Sequence, residues 1–391
     1  MNTKLLQSEV QQFIEEHLHT DLSKLIFKGS PFAEVSIQEI ATQIAAKKKA
    51  KSKLPSWFSH QNIYYPPKLN LEQTSSEITA NYKAQLVSGS SLVDLTGGFG
   101  VDSWAFSKKI AKLVHCEINE ELSVIAQHNF NELGQTNCSF FHGDGLRILK
   151  ESSNKFDWIY IDPSRRIETK GKVFLMSDCL PNVPEELDFL LSKADHILIK
   201  SSPLLDLTSS IHELSFVKEI HIVAVENEVK ELLFLVQKGF EGAIQIKTIN
   251  YAKEQIQVLD FPYSSKSSSE YSAPKTFLYE PNAAILKSGG FHEVSKQLNL
   301  FKLHPNSHLY TSEKLIDFPG RTFSIEMVLP YDKKALKKAL GTDKANITTR
   351  NFPESVEQIR KKNKLKDGGE HYLFFTTNLN NLYIVLICKK L

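Results

Sequence analysis

Hydrophobic positions repeat with different periods in successive stretches of the chain. Over residues 1–87 they recur at helical spacing. Residues 36–50 (SIQEIATQIAAKKKA) place apolar side chains three and four apart behind a serine suited to cap the first turn. The spacing predicts a helix there and another over 72–87 (EQTSSEITANYKAQLV), with Pro55, Pro66 and Pro67 breaking the pattern between them. From residue 91 to about 250 the period alternates. Short apolar runs at 91–95 (SLVDL), 112–117 (KLVHCE), 138–144 (CSFFHGD), 156–163 (FDWIYIDP) and 196–200 (HILIK) predict strands, most of them separated by helical segments. This is the pattern of a doubly wound parallel sheet. Its end differs. The run 219–225 (EIHIVAV) is followed after only ENEVK by 231–237 (ELLFLVQ). Five or so residues cannot hold a crossover helix, so these two strands pair antiparallel. Serine-rich residues 262–272 read as a linker, and 274–391 as a third region closing on two strands, YLFFTTN and NLYIVLIC, around an Asn-rich turn.

Composition narrows the class. A chain of 391 residues has room for two or three domains, and 41% hydrophobic with 24% charged residues is ordinary for a globular protein. No apolar run is long enough to span a membrane, and the polar start MNTKLLQSEVQQFIEEHLH is no signal peptide, so a cytoplasmic protein with no membrane partner is expected. Cys116, Cys138, Cys179 and Cys388 show neither a CxxC pair nor zinc spacing; they read as reduced thiols, and no metal is expected. The net charge of +2 conceals three basic runs: 47–53, then Lys333, Lys334, Lys337 and Lys338, then 360–366. One such run is commonly a solvated face. Three outside the alternating region favour a phosphate-rich partner. In the last, Val356 and Ile359 are expected to face a core, while Arg360 and Lys364 share a face without acids to pair with.

Candidate chemistry concentrates at 93–102, VDLTGGFGVD. Asp94 ends the first strand. Gly97, Gly98 and Gly100 make a turn that glycine adopts at least cost, and a helix starts directly after it. A strand, a glycine turn and a helix N-terminus form a nucleotide-type cofactor site, because backbone and unpaired N–H groups can approach the ligand closely. Dinucleotide binders want G-x-G-x-x-G; Gly98 and Gly100 fit, but Ser103 stands at the third position. The Gly-Lys-Ser/Thr of a phosphate-binding loop is absent. An acidic residue three before the first glycine suits S-adenosylmethionine, whose cationic amino-acid end a carboxylate can hold. An antiparallel last strand is also the methyltransferase variant of this sheet. Further acids end the successive strands: Glu117, Asp144 and Asp162. Ligands of open α/β sheets bind beyond the carboxyl ends of the strands, so with Asp94 four carboxylates address one crevice. Glu117, about 20 residues past the turn, is placed for ribose hydroxyls, and Asp144 for the adenine amine or for capping the next helix. Asp162, Pro163 and Arg165 follow the fourth strand at the acceptor side. There a carboxylate before a rigid proline would align the acceptor and manage its proton, and Arg165 would stack on a base or pair with a phosphate. Arg165 or Arg166 could equally neutralise Asp162. Uracil-C5 chemistry needs a cysteine nucleophile at the end of the fifth strand, where this chain has Lys200-Ser201-Ser202-Pro203.

Longer motifs carry a resemblance. Residues 71–84 (LEQTSSEITANYKA), VDLTGGFGVD, IDPSRR at 161–166, IKSSPLLD at 199–206, VENEVKELL at 225–233, YEPNAAILKSGGF at 279–291, LHPNSHLYTS at 303–312 and TTRNFPESVEQIRKKNKLKDGG at 348–369 together span nearly the whole chain. On these the chain resembles the THUMP-like-domain class I S-adenosylmethionine-dependent methyltransferases of Bacteroidetes-type bacteria. The resemblance implies S-adenosylmethionine as cofactor and ferredoxin-like and THUMP-like modules at the C-terminus. Because THUMP domains bind RNA, often tRNA, it also implies an RNA substrate. It carries cofactor contacts onto Asp94, Thr96, Gly97, Gly98, Gly100, Glu117 and Asp144, and acceptor-side roles onto Asp162, Pro163 and Arg165.

The expectation is therefore an α/β protein: a class I methyltransferase, Rossmann-like seven-stranded sheet with a helical N-terminal region and a C-terminal α+β module. Its parts are 1–87 (helical), 88–260 (methyltransferase), 274–320 (ferredoxin-like) and 321–391 (THUMP-like). The expected activity is methylation of a base in tRNA or rRNA. A methyltransferase of a protein or small metabolite, and a non-catalytic RNA-interaction protein that binds the cofactor, stand as alternatives at this point.

Overall fold

A computed structural model describes residues 1–165, 175–264 and 267–391. They divide into two compact units, Met1–Val217 with Phe234–Glu241, and Lys218–Leu233 with Gly242–Leu391.

The first unit opens with α1 (Ser8–Glu16), α2 (Leu22–Lys28), α3 (Ile37–Lys53), α4 (Pro55–Ser59), α5 (Lys68–Gln73) and α6 (Glu77–Leu86). α3 starts as its sequence indicates. Ser36 accepts from the Glu39 N–H at 3.2 Å, and Glu39 accepts from the Ser36 N–H at 2.8 Å. Its basic end is largely committed internally: Lys47 pairs with Glu15 at 2.5 Å, Lys49 with Glu72 at 2.7 Å, and Lys53 donates to the Leu71 and Glu72 carbonyls. The single helix expected over 72–87 is instead split between α5 and α6. Thr74 is extended, and the Ser76 hydroxyl accepts from the Thr79 N–H at 3.2 Å, so hydroxyl side chains stop one helix and cap the next.

The alternating region then supplies β1 (Ser91–Asp94), α7 (Val101–Ser107), β2 (Lys112–Glu117), α8 (Glu120–Glu132), β3 (Cys138–His142), α9 (Gly145–Glu151), β4 (Phe156–Ile161), the short pair β5 (Ser164–Arg165) and β6 (Cys179–Leu180), α10 (Val183–Lys193), β7 (Ala194–Ser201) and α11 (Leu207–Glu213). β1 is flanked by parallel neighbours, with Asp94 level with His115 of β2 and Tyr160 of β4. β4 in turn pairs parallel with β7, Ile161 level with Ile199. Such strands are covered on both faces and read as continuous apolar runs. Leu92, Val93, Ile159 and Leu198 are buried accordingly, as are Trp57, Trp104, Phe106 and Phe130 of the helices.

β8 (Val217–Val225) and β9 (Glu228–Gln237) follow. Glu226 and Asn227 between them have φ of 50° and 63°, the backbone of a two-residue hairpin, so the expected antiparallel pair is present. The larger sheet runs in the order β3-β2-β1-β4-β7-β9-β8-β10-β11, two strands more than the seven expected. The additions are β10 (Gln245–Tyr251), parallel to β8, and β11 (Ile256–Pro262), antiparallel to β10.

The second unit continues with β12 (Phe277–Pro281), α12 (Ala283–Ser288), α13 (Phe291–Gln297), β13 (Phe301–Lys302), β14 (Tyr310–Ser312), β15 (Gly320–Pro330), α14 (Lys333–Leu340), β16 (Asn346–Arg350), α15 (Val356–Asn363), β17 (His371–Thr377) and β18 (Tyr383–Lys390). Its sheet has the order β13-β14-β12-β15-β18-β17-β16. Alternation along β17 sorts the core. Leu373 and Phe375 join Leu336, Leu340 and Ile359 of α14 and α15, while Phe374 joins Leu278, Leu303 and Phe323. Ile359 is buried as expected. The basic face expected on α15 is unpaired only in part. Arg360 pairs with Asp367, Lys362 with Glu354 at 2.8 Å and Lys366 with Asp343 at 3.1 Å, while Lys364, at φ 55°, lies past the helix end. The acids come from outside the helix, where a helical-face argument does not look.

Candidate active site

Asp94 sits at the end of β1, only 1% exposed. It accepts from the Thr96 N–H at 3.0 Å and from the Ser103 hydroxyl at 2.6 Å. Burial pushes its pKa up to about 7 against those two hydrogen bonds. The glycine turn above it is held by geometry that tolerates no side chain. A Cβ on Gly97 would lie 2.2 Å from Nε2 of His115, and Gly100, which opens α7, has φ 87°. His115 is wholly buried and held neutral, its pKa lowered to about 4 by burial. Neither ring nitrogen has a hydrogen-bond partner among the described residues.

Glu117, at the end of β2, reaches back to the same turn. It accepts from the Gly98 N–H and from the Asn119 N–H, each at 2.7 Å. A carboxylate offers about four lone-pair positions, so acceptor capacity remains. Beside it Ile118 is 72% exposed, an apolar surface at a strand end. Asp144 caps α9, accepting from the Leu146 N–H at 2.9 Å with one oxygen, and is otherwise exposed. Gly145 packs so closely on β1 that a Cβ would meet the Leu95 carbonyl oxygen at 2.3 Å.

The end of β4 is tied to the turn by one hydroxyl: the Asp162 N–H donates to Thr96 Oγ1 at 2.7 Å. The Asp162 carboxylate forms an ion pair with Lys200 of β7, the partner that the β4–β7 register brings beside it. Pro163 behind it is buried. The backbone of Arg165 pairs with Cys179. The Arg165 side chain and Arg166 lie outside the described residues. A second buried acid stands next to this pair. Asp102 accepts from Tyr160 at 2.7 Å and Ser75 at 2.8 Å, and Lys83 of α6, with no exposed side-chain surface, approaches it to 3.1 Å. Burial alone would raise the Asp102 pKa, but the charges of Lys83 and Lys200 and these hydrogen bonds hold it below the usual carboxylate range.

Asp94, Thr96, the glycines, Glu117, Asp144 and Asp162 are thus gathered at the ends of adjacent strands. Lys200, Ser103, His115 and the set Ser75–Lys83–Asp102–Tyr160 were not foreseen. For Lys200 a signal existed: a lone lysine closing the apolar run 196–199, level with Asp162 once β4 and β7 are paired. All four cysteines are free. Among the described residues no cluster of His, Cys, Asp or Glu is arranged to hold a metal ion, and no helix is long and apolar enough to cross a membrane.

Comparison with known proteins gives the following. A ferredoxin-like domain family matches residues 277–319, and a THUMP domain-like family matches residues 320–390. A crystal structure from Porphyromonas gingivalis W83, whose description places it among the methyltransferases, is 33% identical, with a TM-score of 0.89 over 100% of this chain and 98% of that one. An uncharacterized RNA methyltransferase of Clostridium acetobutylicum is 35% identical over 79 residues, 20% of this chain. The match spans only 17% of that curated relative's length.

Proposed function

The chain belongs to the family of the Porphyromonas gingivalis methyltransferase, with ferredoxin-like and THUMP-like domains at its C-terminus, and on that premise we propose that it transfers a methyl group from S-adenosylmethionine to a base of structured RNA, a tRNA or an rRNA. The observation that carries the reading is Thr96, whose backbone N–H binds Asp94 and whose hydroxyl binds the Asp162 backbone. One residue thereby couples a cofactor-type glycine turn to an acidic acceptor loop.

The cofactor, when bound, supplies a methyl group already activated on a sulfonium. The turn Gly97–Gly98–Gly100 lets backbone approach its amino-acid end, and Asp94 shapes that turn from beneath. Glu117 turns its remaining lone pairs to the ribose hydroxyls, Asp144 offers its free oxygen to the adenine amine, and Ile118 offers the adenine an apolar face. On the acceptor side the ion pair with Lys200 holds the Asp162 carboxylate in place. Asp162 orients the acceptor for in-line attack and takes its proton, with Pro163 fixing the chain behind it and Arg165 positioning the nucleotide. Residues 1–87 brace this domain, 88–260 perform the transfer, and the modules at 274–320 and 321–391 bind the RNA. We place the reaction in the cytoplasm, in keeping with four free thiols.

Mass spectrometry of RNA nucleosides from cells lacking the protein tests this. One methylated nucleoside should disappear and return when the gene is restored. Unchanged RNA together with a lost methyl group on a protein or metabolite would contradict the RNA assignment and leave methyl transfer standing.

A further inference from the structure

Glu280 of β12 is a buried carboxylate, 2% exposed, placed opposite Arg321 in the β12–β15 register. Arg321 donates Nε at 2.7 Å, and Nη2 as well, to one oxygen. Arg350, at the end of β16, donates Nε at 3.1 Å and Nη2 at 2.7 Å to the other. Each guanidinium gives one edge to Glu280. Neither Nη1 has a partner among the described residues, and the side chains remain 38% and 34% exposed.

One buried carboxylate needs one cation. The second arginine is surplus to that requirement, so the cluster carries net positive charge. One further cation acts on the same neighbour. Lys302 is buried, its side chain donating among the described residues to the Pro305 carbonyl, and both Lys302 and Arg350 act electrostatically on His308. His308 adopts φ 54°, and its buried Nδ1 has no hydrogen-bond partner among the described residues. Both guanidinium groups are therefore held by one carboxylate, each with its Nη1 unpartnered among the described residues and Arg321 Nη2 also donating to Thr348 Oγ1 at 3.4 Å, and together they carry one positive charge more than Glu280 neutralises. A fork fixed in advance loses little freedom on binding, and its planar donor pair matches phosphate oxygens.

We propose that Arg321 and Arg350 form a phosphate-binding site for the backbone of the RNA substrate. The assignment rests on the RNA reading above and adds the place where one or two phosphodiesters are held. Glu280 is a positioning residue, acting through the arginines.

The test is filter binding of tRNA and rRNA from cells lacking the protein to the full-length chain over a salt series, for the parent protein, Arg321→Gln and Arg350→Gln. In each variant Glu280 keeps one arginine. Each should bind roughly tenfold more weakly, with the slope of log affinity against log salt reduced by about 0.7–0.9. Arg350→Lys covers the case in which the glutamine variant fails to fold. It keeps the ion pair and the charge, so affinity should fall while the slope holds. Folded variants with parental affinity and slope would overturn the site and leave RNA binding intact. A parent protein that binds no RNA would overturn both. Inorganic phosphate titrated at constant ionic strength should displace RNA only weakly. Displacement at micromolar phosphate would assign the arginines to a free anion and overturn the proposal.

Discussion

The crevice at the ends of β1, β2 and β4 and the arginine cluster of the C-terminal unit use the same ion pairs in opposite senses. In the crevice cations serve carboxylates. Buried Lys83 pairs with Asp102, and Lys200 with Asp162, while Asp94, Glu117 and Asp144 form no ion pair among the described residues and accept from backbone and hydroxyl groups. The remaining field is negative, which suits a cofactor bearing a sulfonium and an ammonium. In the C-terminal cluster a carboxylate serves cations: Glu280 is the buried member, and the two arginines remain 38% and 34% exposed, each with Nη1 unpartnered among the described residues. The remaining field is positive and suits a polyanion. Which member of an ion pair is buried tells which charge the site is built to display.

The largest effect that would break this comparison is in the crevice. Lys83→Met removes the fully buried, nearest cation from Asp102 and leaves that carboxylate with only the more distant charge of Lys200, at a cost of roughly 3–5 kcal/mol. Thermal melting should show a strongly destabilised protein, and Lys83→Met with Asp102→Asn together should recover part of the loss. A parental melting curve for the single variant would mean that Asp102 is not held by Lys83. Next in size, Glu117→Ala should weaken S-adenosylmethionine binding by roughly 2–4 kcal/mol, the worth of two charge-assisted hydrogen bonds. Calorimetry giving unchanged affinity in a folded variant would take Glu117 out of the site.

The local parts of this arrangement were legible in the sequence, and the long-range parts were not. VDLTGGFGVD contains its own explanation, because a strand end, a glycine turn and a helix start are contiguous. The hairpin β8–β9 followed from a connection too short for a helix. Lys83 and Asp102 both stand in conspicuous motifs, yet nothing in either says that they meet, since the pairing depends on how α6 packs. The face of α15 was misread because Asp367 and Glu354 flank the helix instead of lying on it. β10 and β11 escaped notice because polar residues occupy buried positions. Thr248 donates to the Leu259 carbonyl at 2.8 Å and Asn250 to Gln257 at 2.9 Å, which satisfies the groups but blurs the apolar alternation.

A pH-dependent effect sharpens the account of the cofactor turn. Burial pushes the Asp94 pKa up to about 7 in the folded chain, against the 3.8 of an ordinary aspartate. Between these values the folded state holds the extra proton, so this group's contribution to stability is present at low pH and is lost as pH rises through 7. The slope is at most roughly 1.4 kcal/mol per pH unit. Asp94→Asn should remove that slope, seen as a difference between variant and parent in chemical denaturation from pH 4 to 8. Parallel profiles would show that Asp94 titrates alike in the folded and unfolded chain.

The central claim is that the crevice transfers a methyl group to RNA through Asp162. Single-turnover transfer of labelled methyl from S-adenosylmethionine to RNA from cells lacking the protein tests it most directly, with cofactor affinity measured alongside. The parent protein should label RNA. Asp162→Ala should bind cofactor within a few-fold of the parent and label RNA about 10²–10⁴ times more slowly. Parental labelling by Asp162→Ala, or no labelling of RNA by a parent protein that binds the cofactor, would contradict the account.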